Sequence, residues 1–207
     1  MAAGKGRRLP ANERRAQIID VGRAAFSEHG FDGTSMEGIA DRAKVSKPIV
    51  YEHFGDKEGL YAVVVDREME YVVRRITEAI ASGSMRERVE QAALVFLTYV
   101  KEQPEGFAIL SQDSPLTSSR NRRLSSMLNE LAERVGAVFT ATFKEAGFDP
   151  GAAPIYAHAL VGMATFVGKW WTENKHGDVE DVAKHLCALA WAGLRNLPRR
   201  PTLKSRR

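Results

Sequence analysis

The chain of 207 residues contains one cysteine, Cys187, which rules out an intrachain disulfide or an all-cysteine metal site and points to a reducing compartment. It has no G-x-S-x-G, no H-E-x-x-H and no paired-cysteine spacing. Its histidines, His29, His53, His158, His176 and His185, are scattered along the sequence. Neither an enzymatic constellation, a metal site nor a cofactor is therefore expected. No stretch reads as apolar and uncharged over the ~18 residues of a membrane span, and the opening MAAGKGRRLPANERR leads into an amphipathic pattern instead of the apolar core of a secretory signal. The expectation is a soluble, cytoplasmic protein without a membrane partner. No segment alternates with the period of a half-buried strand, and nothing repeats at a fixed interval.

What the sequence does contain is helical periodicity and a modest positive charge, 30 Lys and Arg against 26 Asp and Glu, which suits a polyanionic partner without requiring one. Ile18, Ile19, Gly22, Ala25 and Phe26 form one side of a first helix that Gly30 closes. Thr34-Ser35-Met36-Glu37 reads as a capping box, with Thr34 on the Glu37 amide. Ser46 suits the cap of a further helix, which puts Pro48 in its first turn, where the missing amide proton costs nothing. After Gly55, Asp56 caps a long helix from Lys57 through Ala81. Helices are predicted near 85–102, 104–112, 119–147, 152–174 and 179–195. The fold class is thus all-α, about nine helices. It divides into a basic arm at 1–11, a three-helix domain at 12–56, a larger helical domain at 57–197 and a basic tail at 198–207.

Two short helices, roughly 35–43 and 47–53, joined by a few residues, have the spacing of a helix-turn-helix. The second would present Ser46, Lys47 and the first-turn amides to phosphates or base edges, with Pro48 stiffening the turn. Tyr51 and His53 follow one turn on, where a phenol and an imidazole can donate to phosphate, while Ile49, Val50 and Phe54 hold the helix on its neighbours. Lys57 and Thr34, at two further helix starts, offer phosphate contacts of the same kind. The arm residues Lys5, Arg7 and Arg8 either reach a minor groove or remain a solvated leader.

The stretch IIDVGRAAFSEHGFDGTSMEGIADRAKVSKPIVYEHFGDKEGLYAVVV resembles the amino-terminal domain of the TetR/AcrR family of bacterial transcriptional regulators. The resemblance lies in the F…G(F/Y)…T(S/T)…IA..A.VS opening, the Y.(H/Y)F recognition helix and the following K..L, over residues 13 to about 65. It implies DNA contacts from Thr34, Ser46, Lys47, Tyr51, His53 and Lys57. It departs at Lys44, where many members have glycine; a lysine there either takes a left-handed backbone at some cost or donates to phosphate.

The resemblance further implies a ligand-binding and dimerisation domain whose last two long helices form a four-helix bundle with the partner's copies. Here those helices carry ALVGMATFVGKWW and VAKHLCALAWAGL. Gly162, Ala164, Ala188, Ala190, Ala192 and Gly193 would let backbones approach, and Leu160, Phe166, Leu189, Trp191 and Leu194 would supply apolar area. Candidate pocket residues are Phe96, Tyr99, Phe107, Met127 and Leu131, with Phe139, Phe143, Met163, Phe166 and Trp170. His158 reads as a core residue or a ligand contact, and Cys187 as a small buried hydrophobe. A hydrophobic effector is expected. The closing helices are similar to actinobacterial-type members associated with lipid metabolism, which makes a fatty acyl-CoA or related lipid the first candidate. The expected function is a homodimeric repressor on a pseudo-palindromic double-stranded DNA operator. The alternative is a helical lipid- or acyl-binding protein without DNA binding.

Overall fold

The computed structural model describes residues 10–111 and 120–202, and for 120–128 the backbone only. Lys5, Arg7, Arg8 and the side chain of Met127 lie outside the described residues. Among those described there are nine α-helices, one 3₁₀ turn and no strand. In chain order they are α1 (Ala11–Gly33), α2 (Met36–Arg42), α3 (Lys47–Phe54), α4 (Lys57–Ala79) and α5 (Met85–Glu102). α6 (Pro104–Ser111), α7 (Arg120–Ala146), the 3₁₀ turn Pro150–Ala152, α8 (Ala153–Asn174) and α9 (Val179–Leu194) complete the chain.

The helices stop and start where local chemistry dictates. Gly30 breaks α1 at φ 68°, ψ 179°, a conformation open to a residue without a Cβ. Ser84 and Glu87 form a reciprocal capping box on α5, and Asp56 and Asp178 accept the amides of Gly59 at 2.6 Å and Asp181 at 2.8 Å. The box expected at Thr34 is displaced by one residue. Ser35 is the cap, accepting from the Gly38 amide at 3.1 Å, and glycine at that third helical position has no side chain to reach back.

The chain divides into two compact units, one formed by the described residues of Met1–Glu68 and Glu105–Ser114, the other by those of Met69–Pro104 and Pro115–Arg207. In the first, Ile18, Phe26, Ile39, Val50 and Leu60 are wholly or almost wholly buried, and Gly22 lets Leu60 come close to the α1 backbone. Tyr61 meets Phe26 and Phe31 edge-on at centroid distances of 4.9 and 5.3 Å. Arg23 of α1 pairs with Glu68 of α4 at 2.8 Å and lies 3.6 Å from Glu105 of α6, so three elements share one charge cluster.

In the second unit α7 packs along α8 and α5 along α9. Gly136 and Ala157 permit the first approach, and Phe139, Phe143, Phe148 and Tyr156 form an aromatic cluster beside it. Residues 150–168 carry no Asp, Glu, Lys or Arg. Pro150–Asn174 is long and apolar enough to cross a membrane by length and composition, which corrects the expectation that no such run exists. Most of that run is not buried, so it is apolar on an outward face as well as on its core face.

Candidate nucleic-acid interface and effector cavity

The turn between α2 and α3 is made by Lys44 at φ 53°, the left-handed conformation its position demands, closed by Val45 N–H donating to the Ala40 carbonyl at 3.0 Å. Gln17 of α1 donates to the Ala43 carbonyl at 3.2 Å and fixes the same turn from below. α3 then buries Val50 and Phe54, with Arg15 5.1 Å above the Phe54 ring, and turns Ser46, Lys47, Pro48 and Tyr51 to solvent. Ser46 occupies the cap position but makes no cap hydrogen bond, and Pro48 sits in the first turn. An exposed hydroxyl, a cation and a phenol therefore share the start of one helix, a surface able to meet phosphate oxygens and base edges.

Three of the predicted contact residues are engaged within the chain. Thr34 is only 5% exposed, and its hydroxyl donates to the carbonyls of Ala25 at 3.0 Å and Gly30 at 2.7 Å, tying off the break in α1. Lys57 donates to the Phe31 carbonyl at 2.9 Å with its ammonium 4.2 Å above that ring. Lys47 pairs with Glu37 of α2 and stands 5.5 Å from the Tyr51 ring. That hydrogen bond holds the Glu37 carboxyl below the usual carboxylate range and raises the Lys47 ammonium above its ordinary value. His53 is half-buried, 6.0 Å from Phe54.

The second unit holds a cavity of about 80 Å³ between α4, α5, α7, α8 and α9. Of the candidate pocket residues, Phe96, Leu131, Phe139 and Met163 are on its wall. Tyr99 is buried elsewhere, its ring 5.9 Å from Tyr71; Phe143 belongs to the aromatic cluster; Phe107 lies on α6 in the other unit. Phe166 is 76% exposed and Trp170 is exposed, so neither is on the cavity wall, because both point away from the side of α8 that carries Val161. His158 is likewise exposed, bonded to the Pro154 carbonyl at 2.7 Å, which corrects its reading as a core or pocket residue. The wall the sequence did not single out is aliphatic, with Ile76, Ile80, Val135 and Val138, and its one charged member among the described residues is Arg88.

Phe166 shares the outward face of α8 with Ile155, at 69% exposure, and with Gly162, which has open space beside it. On α9, Leu189 at 67% exposure and Gly193 do the same. Leu160, Trp191 and Leu194, which the sequence placed in a dimer seam, are half-buried and Ala190 is buried within their own chain.

Residues 18–64 match the family model described as bacterial regulatory proteins, tetR family, and residues 73–204 match the tetracyclin repressor-like C-terminal domain. The chain is similar to the HTH-type transcriptional activator FasR of Mycolicibacterium smegmatis, 27% identical over 196 residues that cover 94% of this chain and 89% of that protein. It is also similar to the HTH-type transcriptional repressor KstR2 of Rhodococcus jostii, 25% identical over 186 residues, 87% and 91% of the two. Among solved structures, a TetR-like transcriptional regulator from Rhodococcus sp. RHA1 superposes with a TM-score of 0.72 at 26% identity, covering 92% of this chain and 100% of that one. The fatty acid degradation regulator FadR from Bacillus halodurans, at 16% identity, shares the fold with a TM-score of 0.77 over 92% and 99% of the two chains.

Proposed function

Because the chain belongs to the TetR family of bacterial regulatory proteins, DNA-binding transcriptional regulators with a helix-turn-helix, we propose that it is a ligand-responsive homodimeric repressor of a pseudo-palindromic operator. The observation that carries this is the start of α3, where Ser46, Lys47, Pro48 and Tyr51 are exposed over a buried Val50 and Phe54. His53 and Lys57 complete the phosphate-facing set, Lys57 after release from Phe31. Thr34 acts by fixing where α2 begins, since its hydroxyl is used inside the fold. The DNA-binding part is residues 12–56 and the effector and dimer part 57–197. The protein acts in the cytoplasm, where its operator is, without a membrane partner.

Dimerisation follows from the outward face of α8 and α9. Exposed Ile155, Phe166 and Leu189 beside open Gly162 and Gly193 form an apolar surface that a two-fold copy covers with the same residues, each backbone approaching where the glycines leave room. Two recognition helices related by a two-fold axis read two half-sites. The relatives named above include an activator and a repressor. Repression is the reading that needs least of the chain, because occupancy of the operator alone suffices.

The effector is hydrophobic, a fatty acyl-CoA or related lipid. The cavity wall is almost wholly apolar, which suits the hydrocarbon part of such a ligand. The cavity's volume of about 80 Å³ is below the ~300–1,000 Å³ of ligand pockets, so the effector enters by parting the wall, where Met163 is an unbranched, adaptable side chain. A chain that opens for the effector has a different population of DNA-competent dimers.

The test is selection of duplexes from a random pool by the purified full-length protein. The expected result is an enriched pseudo-palindrome, lost in the Lys47→Ala, Tyr51→Ala double variant. Enrichment of the same sequence by that variant overturns the assignment of α3, and absence of any enriched sequence in the unmodified protein favours the lipid-binding alternative.

A further inference from the structure

Resting on the reading of the cavity as the effector site, we propose that Arg88 anchors the effector and that the effector is an amphipathic anion. Its hydrocarbon body enters the cavity while a carboxylate or phosphate group stays at the guanidinium. Arg88, Val89, Ala92, Ala93 and Phe96 all line the cavity from α5, and exposure falls along this row from half-buried Arg88 to buried Phe96. At ~1.5 Å per residue the row runs about 12 Å, with the charge at its more open end.

Among the described residues the guanidinium is only partly engaged. Its Nε donates to the Gly83 carbonyl at 2.9 Å, and its two terminal nitrogens have no hydrogen bond or ion pair among the described residues. The neighbouring carboxylates on α5 are engaged elsewhere, Glu87 by the Ser84 amide at 2.7 Å and Glu90 by Arg86 at 2.7 Å. The other polar groups of the wall have little to offer an anion. The Thr165 hydroxyl donates to the Val161 carbonyl at 2.8 Å, and the Cys187 sulfur lies 3.9 Å from the Val89 carbonyl. Among the described wall residues Arg88 is thus the one that offers further donors, and a planar pair of terminal nitrogens matches the two oxygens of a carboxylate or phosphate.

Titration calorimetry of the full-length protein with dodecanoate, dodecanoyl-CoA and dodecanol tests this. The anions are expected to bind the unmodified protein more tightly than the alcohol, and the tighter of the two identifies a free carboxylate or a CoA thioester as the source. Arg88→Gln is expected to weaken anion binding about ten- to hundredfold, the range of a lost charge-assisted hydrogen bond, and to leave dodecanol binding unchanged. Arg88→Lys, which keeps the charge but not the fork, falls between. Equal anion affinity in Arg88→Gln and the unmodified protein, or dodecanol binding as tightly as dodecanoate, overturns the anchor while leaving the cavity as effector site. Parallel loss of alcohol and anion binding in both variants assigns Arg88 to the fold and also overturns it. Failure of all three probes on the unmodified protein overturns the effector-site reading itself.

Discussion

Glu37→Gln removes the carboxylate that holds Lys47 in the free protein, and its effect on DNA binding can be worked from counterion release. A cation that neutralises a phosphate steepens the dependence of log K on log salt by about 0.9. Lys47 already has an anionic partner. Whether Glu37 stays in place or is pushed aside toward the phosphates, that lysine contributes little to the slope in the unmodified protein. Freeing it is expected to steepen the slope by about 0.9 per subunit, about 1.8 for a two-fold dimer. The ratio of operator affinities between about 50 and 200 mM salt then grows about twelvefold. Fluorescence anisotropy with a labelled operator duplex over that range measures it. pH does not imitate the substitution near neutrality. The Glu37 carboxyl is lowered by the Lys47 hydrogen bond, so the pair is complete above the ordinary carboxylate range and is lost only as pH falls through the lowered value. An unchanged slope in Glu37→Gln, with binding otherwise intact, refutes the idea that Lys47 faces phosphate from behind a carboxylate.

Phe166→Glu places a charge on the outward face of α8 while breaking little inside its own chain, where the residue is 76% exposed. Sedimentation should show a folded monomer at micromolar concentration, and a retained dimer mass removes α8 from the interface. Lys44→Gly relieves a left-handed lysine that costs ~1–2 kcal/mol and returns part of that as unfolded-chain entropy, for a net gain of about 0.5–1 kcal/mol in urea unfolding. If Lys44 also meets phosphate, the same variant flattens the salt slope by about 0.9 per subunit, and an unchanged slope leaves Lys44 a purely structural residue. Cys187 is buried, and desolvation together with nearby Glu90 pushes its thiol upward. Alkylation of the native protein near pH 8 should be at least about tenfold slower than in urea. Because the raised thiol keeps its proton when the unfolded one has lost it, this contribution to stability falls as pH climbs past the ordinary thiol range of about 8.5. A native alkylation rate equal to the unfolded one contradicts the burial.

Much of this protein was legible locally. The starts of α5 and α9 follow from Ser84 and Asp178, since a cap satisfies amides within one turn and needs no distant partner. At Lys44 the family's usual glycine suggested a left-handed backbone as one of two readings, and the lysine does adopt it. The cap of α2 was misplaced by one residue where two hydroxyls, Thr34 and Ser35, stand side by side: the longer-range carbonyls of Ala25 and Gly30 claim the first and leave the second to cap.

Sequence by itself determined the helices, their order and the helix-turn-helix spacing, because each depends on interactions spanning a few residues. Tertiary structure decided which apolar face is covered by which neighbour. Periodicity places Phe166 and Trp170 on an apolar helix as surely as Val161 and Met163, but only packing turns the first pair outward and the second toward the cavity. The same holds for Lys57 folded onto Phe31 and for Arg88 brought beside aliphatic side chains of α7 and α8. Such pairings join residues tens of positions apart, and a helical period carries no information about its partner.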